Sequence, residues 1–188
     1  MKRLNGKFST EVQSIHGNKY AQVFSHKNGF GVCYPLTRLT GDAIGQQLQH
    51  FCFDWGIPEF LKSDGHPSQT GPNTLFQKLI RLHQNHHTLS EPYRPNQNPA
   101  EGTIREIKKR WYPVMYKKNV PKRVWDYGLV WICETGNLSV SQSHYANGRI
   151  SLEDITGETP DISEYTDFSF YDCIIYKDNA GLGVIKLG

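Results

Sequence analysis

The chain has 188 residues, enough for one domain with a buried core. With 37% hydrophobic and 21% charged residues its composition is that of a globular protein and excludes a disordered one. A net charge of +3 says less than its distribution. Arg105, Lys108, Lys109, Arg110, Lys117, Lys118, Lys122 and Arg123 are opposed over their span only by Glu106, whereas the stretch after residue 150 is acidic. A basic middle interleaved with aromatics suits a polyanionic partner, while a charge run without other support is read as a solvated helix face.

In chain order, Phe8-Ser9-Thr10-Glu11-Val12 alternates as a short strand with Phe8, Thr10 and Val12 on one face. Turn chemistry at His16-Gly17-Asn18-Lys19 leads into a second strand over 19–25, and Lys27-Asn28-Gly29 into a third over 30–36. Ala43, Ile44, Leu48, Phe51 and Cys52 then recur at helical spacing over 42–55, before Gly56-Ile57-Pro58. A strand over 59–64 ends at Asp64-Gly65, a helix is expected over 73–86, and a last short strand over 87–90. The loop 91–99 holds three prolines, which remove donors and fix φ. Helices follow from Ala100 toward Met115 and over 124–134, and the tail from Ser151 reads as irregular with a strand-like 170–176. Hairpin strands followed by alternating strand and helix give a mixed sheet flanked by helices, an α/β fold. A core domain over 1–148 and an acidic extension over 149–188 are expected.

The four cysteines, Cys33, Cys52, Cys133 and Cys173, form no Cys-x-x-Cys pair and read as buried thiols of a reducing compartment. No apolar run nears the roughly 18–20 residues of a membrane span. The basic start Met1 to Lys7 has no apolar stretch behind it, so no secretory signal is expected. His83, His86 and His87 are read as surface histidines rather than zinc ligands, with no cysteine pair beside them.

The acidic residues carry the chemistry. Phosphoryl transfer on a nucleic-acid backbone needs charge neutralised at the entering and leaving oxygens, and carboxylates from separate elements hold the divalent ions that do so. Asp64 stands at a strand end, Glu101 opens a helix 36 intervening residues later, and Glu11 lies in the first strand. Read singly, Asp64 is a turn residue, Glu101 a complement to its helix dipole and Glu11 a half-exposed strand residue.

Together, Asp64-Gly65 and the segment Pro95-Asn96-Gln97-Asn98-Pro99-Ala100-Glu101-Gly102-Thr103-Ile104-Arg105 resemble the second half of the D,D(35)E motif of retroviral and retrotransposon integrases. Upstream, the stretch from Gly17-Asn18-Lys19-Tyr20-Ala21-Gln22-Val23 through Tyr34-Pro35-Leu36 looks like the second and third strands of that ribonuclease-H-like fold. Phe53-Asp54-Trp55-Gly56-Ile57-Pro58 looks like the segment before its second Asp. Trp125-Asp126-Tyr127-Gly128 and Thr156-Gly157-Glu158-Thr159-Pro160-Asp161-Ile162-Ser163 resemble the copia-type branch. The likeness covers roughly residues 7–178.

That resemblance implies a ribonuclease-H-like five-stranded core and a metal-dependent polynucleotidyl transferase performing DNA 3′-end processing and strand transfer. It implies two Mg²⁺ or Mn²⁺ ions at Asp64, Glu101 and Glu11. It also implies DNA partners (retroelement ends and target), a homodimer or higher oligomer, and an intracellular, nuclear setting. Arg105, Lys108 and Lys109 would contact DNA, while Tyr93, Arg94 and Gln97 would stack on or bond to an unpaired end. The chain departs from the family at Phe8-Ser9-Thr10-Glu11, where some copia-type members have Asp. Glu11 lies 53 positions before Asp64, close to the family's separation, but its extra methylene shifts the oxygens that a strict octahedral ion must meet. A DNA-binding remnant with a failed metal site, and a ribonuclease acting on RNA–DNA hybrids, remain as alternatives.

Overall fold

Alternating side chains carry directly into a sheet. In the computed structural model, which describes residues 2–91, 98–140 and 148–173, β1 (Arg3–His16), β2 (Lys19–His26) and β3 (Gly31–Leu36) form an antiparallel meander. On the other side of β1, β4 (Ile57–Ser63) and β5 (His86–Leu89) add in parallel, giving the order β3-β2-β1-β4-β5. This is the mixed five-stranded α/β sheet expected from the sequence. Pro58 is tolerated because it sits near the start of β4, before β5 begins to pair at Phe60.

Helices cover both faces. On one, α1 (Gly41–Asp54, capped by Thr40) and α3 (Leu75–His83, capped by Thr74) enclose Phe8, Phe24, Phe30, Phe51, Leu61 and Phe76. Gly45 lets them meet closely, since a Cβ there would lie 2.6 Å from that of Leu75. On the other, α4 (Pro99–Lys117) and α5 (Trp125–Asn137) cover Ile15, Ala21 and Val23. The α4 stripe Ile104, Ile107 and Trp111 is buried there as its spacing predicts. Asn137 fastens the end of α5 to β3, its amide bonding both the N–H and the carbonyl of Gly31 at 2.9 Å.

Several expectations are corrected. β1 is far longer than 8–12, because its ends are held by pairing with distant β4 and β2 rather than by local alternation. The helix expected over 73–86 ends at His83, where Gln84 turns left-handed (φ 54°), and a separate short α2 (Pro67–Thr70) precedes it. The tail is not irregular: it forms α6 (Ser151–Thr156) and α7 (Ser163–Thr166). Residues 170–173 form no strand, and 174–176 lie outside the described residues. Leu152 and Ile155 of α6 pack against the α1 face. Buried Asn28 donates to Ser151 O (3.2 Å) and Asp154 Oδ2 (2.8 Å), while Ser151 Oγ donates back to Asn28 O at 3.2 Å.

The cysteine reading also needs correction. Cys33 of β3 and Cys133 of α5 form a disulfide with Cα atoms 6.7 Å apart, and Cys173 is exposed; Cys52 alone is a buried thiol. Packing of α5 on β3 brings together residues 100 positions apart, which spacing along the chain does not reveal. Among the described residues no helix is long and apolar enough to cross a membrane. Unfolded without reductant, the protein is expected to show the two reactive thiols of Cys52 and Cys173 in a DTNB titration, and four after reduction. Four before reduction would rule the cross-link out.

Candidate metal and nucleic-acid site

Parallel register sets the first two carboxylates. Thr10 of β1 pairs with Ser63 of β4, so the next residues, Glu11 and Asp64, stand side by side where β4 ends and β1 continues. Strand alternation puts Phe8 and Val12 on the α1 side and Ile15 on the α4 side, so Glu11 and Gln13 share the face that α4 covers. Glu11 is half-buried, Asp64 exposed, and Asp64 Oδ1 accepts from the N–H of Gly65 at 2.6 Å.

α4 supplies the third carboxylate. Its N-cap is Asn98, whose Oδ1 accepts from Ala100 N (3.1 Å) while its Nδ2 donates to Glu11 Oε2 (3.3 Å). One buried amide therefore closes the helix start and ties it to β1. Glu101 lies in the first turn just beyond. Two turns on, Lys108 Nζ donates to Gln13 Oε1 at 2.8 Å.

The electrostatics register this convergence. Burial, then the charges of Glu101 and Asp64, push the Glu11 carboxyl up from 4.5 to about 7, against the opposing pull of Lys108. Partial burial lowers Lys108 from its ordinary value, with Glu11 acting the other way. Among the described residues no three His, Cys, Asp or Glu side chains stand close enough to hold one metal ion. In its chemistry, hard oxygen donors with an excess of negative charge, the site fits Mg²⁺ or Mn²⁺.

Of the remaining candidates, Arg105 and Lys109 are exposed, and Lys109 lies 4.0 Å from Glu106 on the outer face of α4. Tyr93, Arg94 and Gln97 lie outside the described residues. The basic middle is partly neutralised by the acidic tail: Lys118 donates to Phe170 O at 3.0 Å and pairs with Asp172.

Two supporting features escape the sequence reading. One is Asn98, a loop residue until its fold partner is known. The other is His87, which is no surface histidine: it is half-buried, and with His86 it belongs to β5, so only His83 of the three sits on a helix. Gln77 Nε2 lies 3.1 Å from His87 Nδ1, and His87 Nε2 lies 2.8 Å from Ser63 Oγ, which donates to Asp64 O at 3.1 Å. With Gln77 donating, the ring proton sits on Nε2, and the chain of bonds holds the Asp64 backbone from behind.

A cryo-electron microscopy structure of the simian T-cell lymphotropic virus intasome in complex with PP2A regulatory subunit B56 gamma contains a chain of similar fold. The TM-score is 0.68 and the identity 19%, over 95% of this chain and 65% of that one. The present chain thus spans less than two thirds of its neighbour's length. The likeness shows a shared α/β fold, a mixed five-stranded sheet flanked by helices. No family model and no curated protein sequence matches.

Two outcomes follow. Because the folded Glu11 pKa exceeds its ordinary value, the stability it contributes is complete below about pH 4.5 and lost as pH rises through about 7. Without divalent ions, Glu11→Gln should therefore melt above the parent at pH 8 and level with it near pH 4. Discounted for solvent screening of a half-exposed group, the gap is about 1 kcal/mol, or roughly 2–4 °C; equal melting at pH 8 would contradict it. Asn98→Ser keeps a helix cap but removes the donor to Glu11, so it should cost less stability than Asn98→Ala while weakening Mn²⁺ binding as much. Titration calorimetry beside thermal melts checks both.

Proposed function

We propose that this protein is the catalytic core of a retrotransposon integrase of copia type, joining DNA ends by metal-dependent phosphoryl transfer. The observation that carries the reading is the placing of Glu11 and Asp64 on neighbouring parallel strands, with Glu101 in the first turn of the helix that Asn98 ties to Glu11, so that the charges of Asp64 and Glu101 both act on Glu11. Glu11, Asp64 and Glu101 would hold two Mg²⁺ or Mn²⁺ ions, which when bound supply charge neutralisation at the entering and leaving oxygens.

The chain's own groups do the rest. Asn98 orients Glu11 through its amide. The Gln77–His87–Ser63 chain fixes the backbone of Asp64. Lys108, beside Glu11, and Arg105, one turn beyond Glu101, are set to engage backbone phosphates, with Lys109, Tyr93, Arg94 and Gln97 as further contacts. DNA ends and target DNA are the partners, a dimer or larger assembly the working form, and the nucleus the setting.

A DNA-binding remnant is the second reading, favoured by a Glu11 that is largely protonated below pH 7 and by the lack of a single-ion triad among the described residues. An oligonucleotide strand-transfer assay in Mg²⁺ and Mn²⁺ separates the two. The parent is expected to join ends, with Asp64→Asn and Glu101→Gln at least about 10²-fold slower. A silent parent beside an active Glu11→Asp variant would favour the remnant, and silence in both would remove the catalytic reading.

A further inference from the structure

Beside Asp64, on the α1 side of the sheet, lies a cavity of about 160 Å³ walled by Val12, Tyr20, Leu39 and Ile44. Gln69 of α2 also lines it, is 1% exposed, and neither its Oε1 nor its Nε2 has a hydrogen-bond partner. A buried carboxamide without partners costs about 1–3 kcal/mol per group, so a fold that keeps one beside a candidate active centre leaves a recognition group unused.

The cavity's chemistry limits what completes it. Its polar lining is Asp64, His66 and Ser68 beside Gln69, with His66 Nδ1 engaged by Ser68 Oγ at 2.6 Å and no lysine or arginine among the described lining residues, so an anion is disfavoured. Its size is well below the roughly 300–1,000 Å³ of sites for whole drug-sized ligands and admits one ring system. Apolar walls with two rings, Tyr20 and His66, suit the flat faces of a ring, and a carboxamide, donor and acceptor at once, suits an edge that is both. Adenine has such an edge, and glutamine is among its usual partners. The Gln69 amide is sealed from water, so a ligand must displace a wall. Leu39, 49% exposed just ahead of α1, is the wall least held.

We propose that this cavity seats one unpaired DNA base, preferably adenine, beside the phosphate presented to Asp64, with Tyr20 against its face and Gln69 on its edge. The proposal rests on the integrase reading for its source of DNA, yet is tested without catalysis. In EDTA, binding of labelled single-stranded dA5, dC5, dG5 and dT5 is measured by fluorescence anisotropy for the parent, Gln69→Leu and Tyr20→Leu, with melting temperatures as the folding control. The parent is expected to prefer dA5, Gln69→Leu to bind it about tenfold more weakly and lose the preference while melting no lower, and Tyr20→Leu to weaken all four. Equal binding of dA5 by parent and Gln69→Leu would overturn the proposal, leaving Gln69 to hold a buried water. Base-selective binding in a protein that joins no DNA would sink the integrase reading alone. Joining with unchanged base preference in Gln69→Leu would sink this proposal alone.

Discussion

Two neighbouring parallel strands decide where the candidate groups stand. Pairing of Thr10 with Ser63 fixes Glu11 against Asp64 with no freedom to slide, because a shift of one residue in β1 would carry Phe8 out of one core and Ile15 out of the other. Each of those side chains contributes on the order of 1.5–3 kcal/mol by its burial. The register is therefore held by apolar packing that the carboxylates play no part in. α4 brings Glu101 to the same corner by the same means, through Ile104, Ile107 and Trp111.

Such rigidity works against the charges it gathers. Asp64 and Glu101 repel the charge of half-buried Glu11, which answers by holding its proton toward neutrality. The surrounding polar groups keep position rather than neutralise: Asn98 touches Glu11 through a neutral amide, and His87 and Ser63 reach only the backbone of Asp64. Lys108 is the cation acting on Glu11, and it is itself spent on Gln13. Negative potential is left in place at an open corner, as a site for cations requires, and local order is traded against charge balance.

What the chain disclosed by itself was periodic. Alternation located the first three strands, and helical spacing located α1 and the buried stripe of α4. Acidic residues at strand and helix ends singled out the corner. What it withheld was everything decided by partners far along the chain. The ends of β1 depend on β4, the role of Asn98 on β1, the environment of His87 on Ser63 and Gln77, and the pairing of Cys33 on how α5 lies over β3. α2 and the two tail helices, at 4, 6 and 4 residues, are too short for a periodic signal to build up.

The clasp between Asn28 and α6 bears on where this molecule can be shortened. Composition draws a border near residue 148, yet Ser151 and Asp154 satisfy an amide in the turn between β2 and β3, and Leu152 and Ile155 close part of the inner face. A fragment trimmed at that border would expose oily surface and strand a sealed polar group at the far end of the hairpin. Its poor solubility would then be mistaken for a property of the core itself.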